Sequence, residues 1–183
     1  YFQRQVGRWI KQYRAAETQE YKEIESLIAW LEKNMPDDDR MISIVHGDYR
    51  LYNMIFSHTE NKILAVLDWE LSTIGHPYAD LAYQCMNWHI PKIGITPGLY
   101  GLNLNGTGIP TENEYVEAYC KKMGISDIPN WSFYLAFGFF RLAGIAQGVY
   151  KRSIMGNASA DNAKELGAAV PILGKIALSI IER

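Results

Sequence analysis

Three side chains tipped with oxygen fall within a short span of the chain: Asp48, Asn53 five positions on, and Asp68 at the end of an apolar run. They lie in the stretches Val45-His46-Gly47-Asp48-Tyr49-Arg50-Leu51-Tyr52-Asn53-Met54-Ile55-Phe56 and Ala65-Val66-Leu67-Asp68-Trp69-Glu70. Phosphoryl transfer asks a protein for positioning more than for covalent work. It needs one carboxylate to orient and deprotonate the attacking hydroxyl, and hard oxygen ligands to hold Mg²⁺ against nucleotide phosphates. Asp48 suits the first task. Asn53 and Asp68 suit the second, because Mg²⁺ takes one or two protein oxygens and leaves its other positions to water and phosphate. Arg50, two residues after the candidate base, would set a fixed positive charge beside the transferred phosphoryl.

An isolated Asp-x4-Asn is weak evidence, since ordinary turns collect acidic and amide side chains for local hydrogen bonds. A hydrolytic metal site made of His46, Asp48, His58 and Asp68 is the competing chemistry. Against it, the histidines lack the i, i+4 spacing of a zinc-binding helix, and His58 falls in a polar turn.

These residues need a scaffold of short strands. Residues 41–45 read as a strand delivering His46 and Asp48, and 53–56 and 62–67 as paired strands joined by the polar turn 57–61. The hairpin would hold Asn53 near Asp68. Trp69 reads as packing. Glu70 could reach a metal or substrate group, although a solvated or helix-capping carboxylate is the commoner fate of a surface acid. Pro77 opens a helix whose first turn carries Asp80, an acid that complements a helix N-terminus, and Leu81, Cys85 and Trp88 give that helix an apolar face.

Helices flank this centre. Val6, Trp9, Ile10 and Tyr13 recur at helical spacing, as do Ile24, Leu27, Ile28 and Leu31, the second run ending at Pro36 and the acidic turn 37–39. The Gly- and Pro-rich segment 89–110 is expected to be a substrate-side lid, with partial disorder as the alternative. Thr111 with Glu114 forms a capping box that launches a helix through about Met123, stopped by Gly124. From Trp131 to about Ile154 runs the longest helix, apolar all round in its first half and therefore expected at the centre of the domain.

Arg141 lies inside that helix. Buried without a partner it would cost on the order of several kcal/mol, so it must meet an acid, a carbonyl or a bound anion. The functional alternative is contact with an anionic substrate; the structural one is a buried ion pair. Arg141, Ile145, Gly148 and Arg152 share one stripe, and Gly144 and Gly148 permit close approach. After the polar loop 157–162 a last helix carries Pro171 near its middle, where a kink is expected.

The 183 residues make one domain, and 48% hydrophobic with 21% charged residues is ordinary globular composition. A net charge of -2 argues against general nucleic-acid binding. The longest apolar run carries Arg141 and Gln147, which reads as a buried helix and no membrane span. Cys85 and Cys120 are too few for a disulfide framework, so buried thiols and a cytoplasmic location are expected. No signal peptide opens the sequence; Tyr1-Phe2-Gln3 would also fit a protease-site tag but reads as native helix.

The pattern His46-Gly47-Asp48-x4-Asn53, then Leu67-Asp68-Trp69-Glu70-Leu71-Ser72-Thr73-Ile74-Gly75-His76-Pro77-Tyr78-Ala79-Asp80, resembles the aminoglycoside phosphotransferase (APH) family, relatives of protein kinases and choline kinases. It is most similar to the branch found alone in bacteria and fused to acyl-CoA dehydrogenases in animals. The resemblance implies an α+β, mostly helical fold: the C-terminal lobe of a kinase-like protein, with a small β-hairpin carrying the catalytic loop. It also implies Asp48 as base, Asn53 and Asp68 as Mg²⁺ ligands, Arg50 at a phosphate-contacting position, and His46 and Asp80 as structural supports of the loop. Residues 140–150 of the long helix, Arg141 included, would line the substrate side.

Two departures stand out. Tyr52 occupies a position that is usually aspartate in this branch. Upstream of His46 the only glycine is Gly7, so the Gly-rich phosphate loop and nucleotide lysine of a kinase are absent, and residues 1–183 are expected to be the C-terminal lobe alone. The expectation is an ATP- and Mg²⁺-dependent phosphotransferase acting on a small-molecule hydroxyl, with a hydroxyacyl-CoA favoured over an aminoglycoside. An inactive lobe fragment or a non-catalytic binding module is the alternative. Apolar surface bared by a missing lobe would permit homo-oligomers.

Overall fold

The helical periodicities and the short β signals fold into six α-helices and two two-stranded sheets among the described residues. The structure, a computed structural model, describes residues 1–37, 41–91, 98–156 and 163–182. Helices α1 (Phe2–Ala16) and α2 (Lys22–Lys33) come first, each burying the apolar stripe its spacing defines. Arg14 of α1 forks the Glu25 carboxylate of α2, with Nη2 to Oε2 at 2.6 Å, and holds that carboxyl below its ordinary value.

Four strands follow. β1 (Ser43–Val45) pairs antiparallel with β4 (Thr73–Gly75), and β2 (Met54–Phe56) pairs with β3 (Ile63–Val66), with a register irregularity at Ile55 and Phe56. The first pair sets Val45 opposite Thr73, closing residues 46–72 into a loop within which the second pair is a hairpin. The sequence shows that hairpin but not β4: three residues carry no usable period. Of the residues in these strands only Val45 and Gly75 are buried. Ile44, Leu64 and Ile74 stay 65%, 58% and 62% exposed, and neighbouring Ile42, Leu51 and Tyr52 are exposed as well. A bare apolar strip this long marks a surface that normally meets something else.

Helix α3 (Tyr78–Cys85) begins just after Pro77, and α4 (Glu112–Met123) starts at a complete Thr111–Glu114 capping box and stops at Gly124 in a left-handed conformation. Helix α5 (Trp131–Ile154) is the core, packed by α6 (Ala163–Ile181), α1, α3 and α2. Its residues 133–140 are all buried. Phe133, Phe139 and Phe140 lie almost entirely out of water, each worth about 1.5–3 kcal/mol of burial. By length and composition α5 could cross a membrane, but 67% of its apolar stretch is covered by this chain's own side chains. Helix α6 continues through Pro171.

Aromatic contacts tie α1 to this core. The Phe2 ring lies 5.6 Å from Phe133, 5.0 Å from Tyr134 and 5.2 Å from His76, at the mostly inclined angles that aromatic quadrupoles favour. Cys85 and Cys120 are buried free thiols, and burial pushes both upward in pKa. Most of the expected acidic turn, at 38 and 39, and the polar loop 157–162 lie outside the described residues, as do 92–97 of the expected lid.

Candidate active site

The turn after β1 is built on a glycine. Gly47 has φ +86, and a Cβ there would come 2.6 Å from the Leu71 carbonyl oxygen. No other residue fits both constraints. The backbone N–H groups of His46 and Gly47 point away from any strand partner and need an acceptor. Asp80 supplies it from the first turn of α3: its Oδ2 accepts from His46 N at 2.6 Å and its Oδ1 from Gly47 N at 3.0 Å. Asp80 therefore spends its charge on the loop as well as on its own helix start.

His46 is 2% exposed, and its ring links three segments. Nε2 lies 2.8 Å from the Leu67 carbonyl oxygen, and Nδ1 lies 3.2 Å from the Asp48 backbone N. A carbonyl can only accept and an N–H can only donate, so Nε2 is the donor and Nδ1 the acceptor. Trp69 packs on it with ring centroids 4.6 Å apart.

Asp48 is held from two sides. Asn53, 8% exposed at the end of a 3-10 turn, donates Nδ2 to both the Asp48 backbone carbonyl and its Oδ2, each at 2.9 Å. Arg50 places Nη2 3.1 Å from the same Oδ2. The guanidinium that the sequence assigns to an incoming phosphoryl thus rests on the base candidate itself. Leu67 completes the frame: its N–H donates to Asn53 O at 2.8 Å while its carbonyl accepts from His46. Asp68 follows at once, exposed and left-handed at φ 67 and ψ 50. A non-glycine residue in that region is a small strain that clusters at functional sites.

The hairpin therefore does what its sequence promises, bringing the Asn53 and Asp68 backbones together. With its nitrogen committed to Asp48, Asn53 presents its amide oxygen as the ligand end. One amide oxygen and one exposed carboxylate fit the sparse protein ligation of Mg²⁺. Among the described residues no group of three or more His, Cys, Asp or Glu could hold a metal, so the His46, Asp48, His58 and Asp68 hydrolytic site does not assemble.

At Gly47 opens a cavity of about 520 Å³, lined also by Glu70, Leu71, Tyr83, Trp9 and Arg141, while Asp48, Arg50, Asn53 and Asp68 lie outside its lining. Arg141 meets a carbonyl: its Nη2 donates to Gly47 O, across 94 positions of sequence. Its guanidinium also lies 5.0 Å from the Tyr83 ring centroid and 5.6 Å from that of Trp9, a cation held by two aromatic faces. Of the three partners expected, the carbonyl is the one the structure shows, with the two rings beside it, and Arg141 at the same time lines the cavity. No residue of 98–110 lines this cavity. Around that segment Trp88 Nε1 donates to Pro110 O at 2.9 Å, joining its two ends, and His89 Nε2 meets Glu112 Oε2 at 2.7 Å, at the start of α4.

Two site residues escaped the sequence reading. Tyr83 is half-buried, and that burial, then the neighbouring Asp48 carboxylate, raises its phenol above the ordinary 10.0, while Arg141 and Arg50 pull the other way. It stands one helical turn after Asp80, and that i, i+3 spacing is the signal that would have found it. Trp9 reads as one more apolar position of α1, yet its ring walls the cavity.

Residues 1–106 match the model of the APH phosphotransferase enzyme family. Acyl-CoA dehydrogenase family member 10 of Mus musculus is 48% identical over 178 residues, 97% of this chain and 17% of that protein. Acyl-CoA dehydrogenase family member 11 of Homo sapiens is 43% identical over 186 residues, 100% of this chain and 24% of that protein. A crystal structure described as an aminoglycoside phosphotransferase of Ralstonia eutropha JMP134 superposes with a TM-score of 0.93 at 45% identity, covering 100% of this chain and 55% of that one. The chain thus spans about half of the solved relative and a quarter or less of the curated ones.

Proposed function

The chain belongs to the APH phosphotransferase enzyme family, and from that premise we propose that it is the helical lobe of an ATP-dependent kinase for a small-molecule hydroxyl, with a hydroxyacyl-CoA as acceptor. The observation that carries the reading is the clamped carboxylate of Asp48, fixed by Asn53 and one residue past Gly47, which lines a cavity large enough for an organic substrate. In this reading Asp48 accepts the hydroxyl proton as the oxygen attacks, and the double hydrogen bond from Asn53 keeps its carboxylate in one orientation. Arg50 exchanges its contact with Asp48 for one with the phosphoryl oxygens.

Mg²⁺, held by the Asn53 amide oxygen and the Asp68 carboxylate, would neutralise charge on the nucleotide phosphates. Asp80, His46 and Arg141 keep the loop in shape, and Glu70 faces the acceptor from the cavity wall. The acyl-CoA acceptor draws support from the relatives named as acyl-CoA dehydrogenase family members. The exposed apolar strip along β1, β3 and β4 is where the nucleotide-holding part of a larger protein would sit.

A second reading, a lobe that binds without catalysis, is favoured by the Arg50–Asp48 pair, which occupies the base. Phosphate transfer from ATP, assayed with a hydroxyacyl-CoA panel, separates the two. The chain extended to the full length of its natural protein should turn over; absence of transfer in both the extended and the 183-residue forms would refute the kinase reading.

A further inference from the structure

The cavity that opens at Gly47, one residue before Asp48, does not end at its own walls. It shares Trp9, Gln12 and Ile145 with a second cavity of about 480 Å³ that continues along the seam between α1 and α5. Glycines keep the seam open. At Gly144 a Cβ would lie 3.3 Å from the Trp9 ring, and at Gly148 the nearest atom to an added Cβ is Arg152 Nη1, at 3.5 Å. The Arg152 guanidinium is therefore folded over the floor of the groove.

The far end of this groove is cationic. Lys151 and Arg152 line the second cavity, and no acid does. Lys151 is engaged, donating Nζ to the Ala15 carbonyl at 2.7 Å. Arg152 is exposed and forms no ion pair among the described residues. From Arg141 to Arg152 the helix rises roughly 16 Å at about 1.5 Å per residue, too far for a single sugar ring to span.

We propose that this groove is a distal acceptor subsite: it takes the linear arm of an elongated acceptor whose hydroxyl lies at Asp48 and whose far end carries a phosphate met by Arg152. The proposal rests on the assignment of the first cavity to the acceptor. Arginine suits the task because its planar fork pairs with phosphate oxygens two at a time. The groove then selects by length and terminal charge, and compact neutral alcohols gain nothing from it.

Calorimetry on the full-length protein tests this, with a non-hydrolysable ATP analogue present to fill the nucleotide site. The probes are coenzyme A, which has both arm and phosphates, and pantetheine, which has the arm alone. Arg152→Glu should weaken coenzyme A about tenfold or more, the scale of a lost charge-assisted contact, and leave pantetheine unchanged. Gly148→Leu should weaken both by filling the groove, while Asp48→Asn weakens neither. Coenzyme A affinity that is indifferent to Arg152→Glu overturns the anion assignment, and indifference to Gly148→Leu in a folded protein overturns the groove. Because binding is read without turnover, an inactive wild type that still shows the Arg152 effect would count against the kinase reading and for the subsite.

Discussion

Asn53 donates one amide nitrogen to two oxygens of a single residue, the backbone carbonyl and the carboxylate Oδ2 of Asp48, both at 2.9 Å. The pair locks main chain and side chain of the candidate base together, so its rotamer is fixed before any substrate arrives. Asn53 thus has two separable roles, donor to Asp48 and oxygen ligand to a metal. Asn53→Asp keeps an oxygen ligand and loses the donor, whereas Asn53→Ala loses both. Phosphate transfer should fall about 10²-fold in Asn53→Asp through misplacement of the base, and further in Asn53→Ala. Full activity in Asn53→Asp would show that the clamp is dispensable.

Arg141 reaches the residue just before the base, and it is held by geometry more than by charge. A lysine in its place keeps the charge but cannot lie flat between Tyr83 and Trp9 while donating to Gly47 O. Arg141→Lys is expected to lose about 1–3 kcal/mol of stability in urea titrations and to lower turnover with it. A stable but weakly binding Arg141→Lys protein would instead place the arginine on the substrate.

Much of this was legible in the sequence. The His46-Gly47-Asp48 and Asn53 spacing, the hairpin that carries Asp68, the capping box at Thr111 and the span of α5 all rest on local signals that act within a few residues. The unreadable parts are contacts across long loops. Strand β4 pairs with β1 from 30 positions away, and Arg141 finds a carbonyl 94 positions back. Asp80 in isolation is a helix-start acid; only the folded chain shows two orphan N–H groups waiting for it. Tyr83 and Trp9 carry no motif, because an aromatic on a helix face looks the same whether it packs a core or walls a cavity.

Asp80 provides a stability test free of catalysis. Its two oxygens satisfy two backbone donors, so Asp80→Ala leaves both without a charged acceptor and should cost about 3 kcal/mol. Asp80→Asn retains one acceptor oxygen and should cost less. Equal midpoints for wild type and Asp80→Ala in denaturant would mean that the loop is braced by something else.

Tyr83 gives the alkaline limb of stability a specific source. Its phenol, raised above 10.0 chiefly by burial, stays protonated in the folded chain after the unfolded chain has begun to lose its proton. The unfolded state then binds fewer protons, so stability declines as pH rises past about 10. Tyr115, pushed up to about 12 by burial, acts in the same direction. Unfolding free energies measured at about pH 9 and about pH 11 should differ less in Tyr83→Phe than in wild type. An unchanged difference would mean that Tyr83 is solvated.

The most direct measurement is transfer of labelled phosphate from ATP to a hydroxyacyl-CoA by the full-length protein, comparing wild type with Asp48→Asn. Asparagine keeps the size of the side chain and an oxygen for the Asn53 amide, but it cannot accept the hydroxyl proton. The account predicts a folded variant whose turnover is about 10²–10⁴-fold lower, the range of a lost general base. Transfer by Asp48→Asn at the wild-type rate would contradict it.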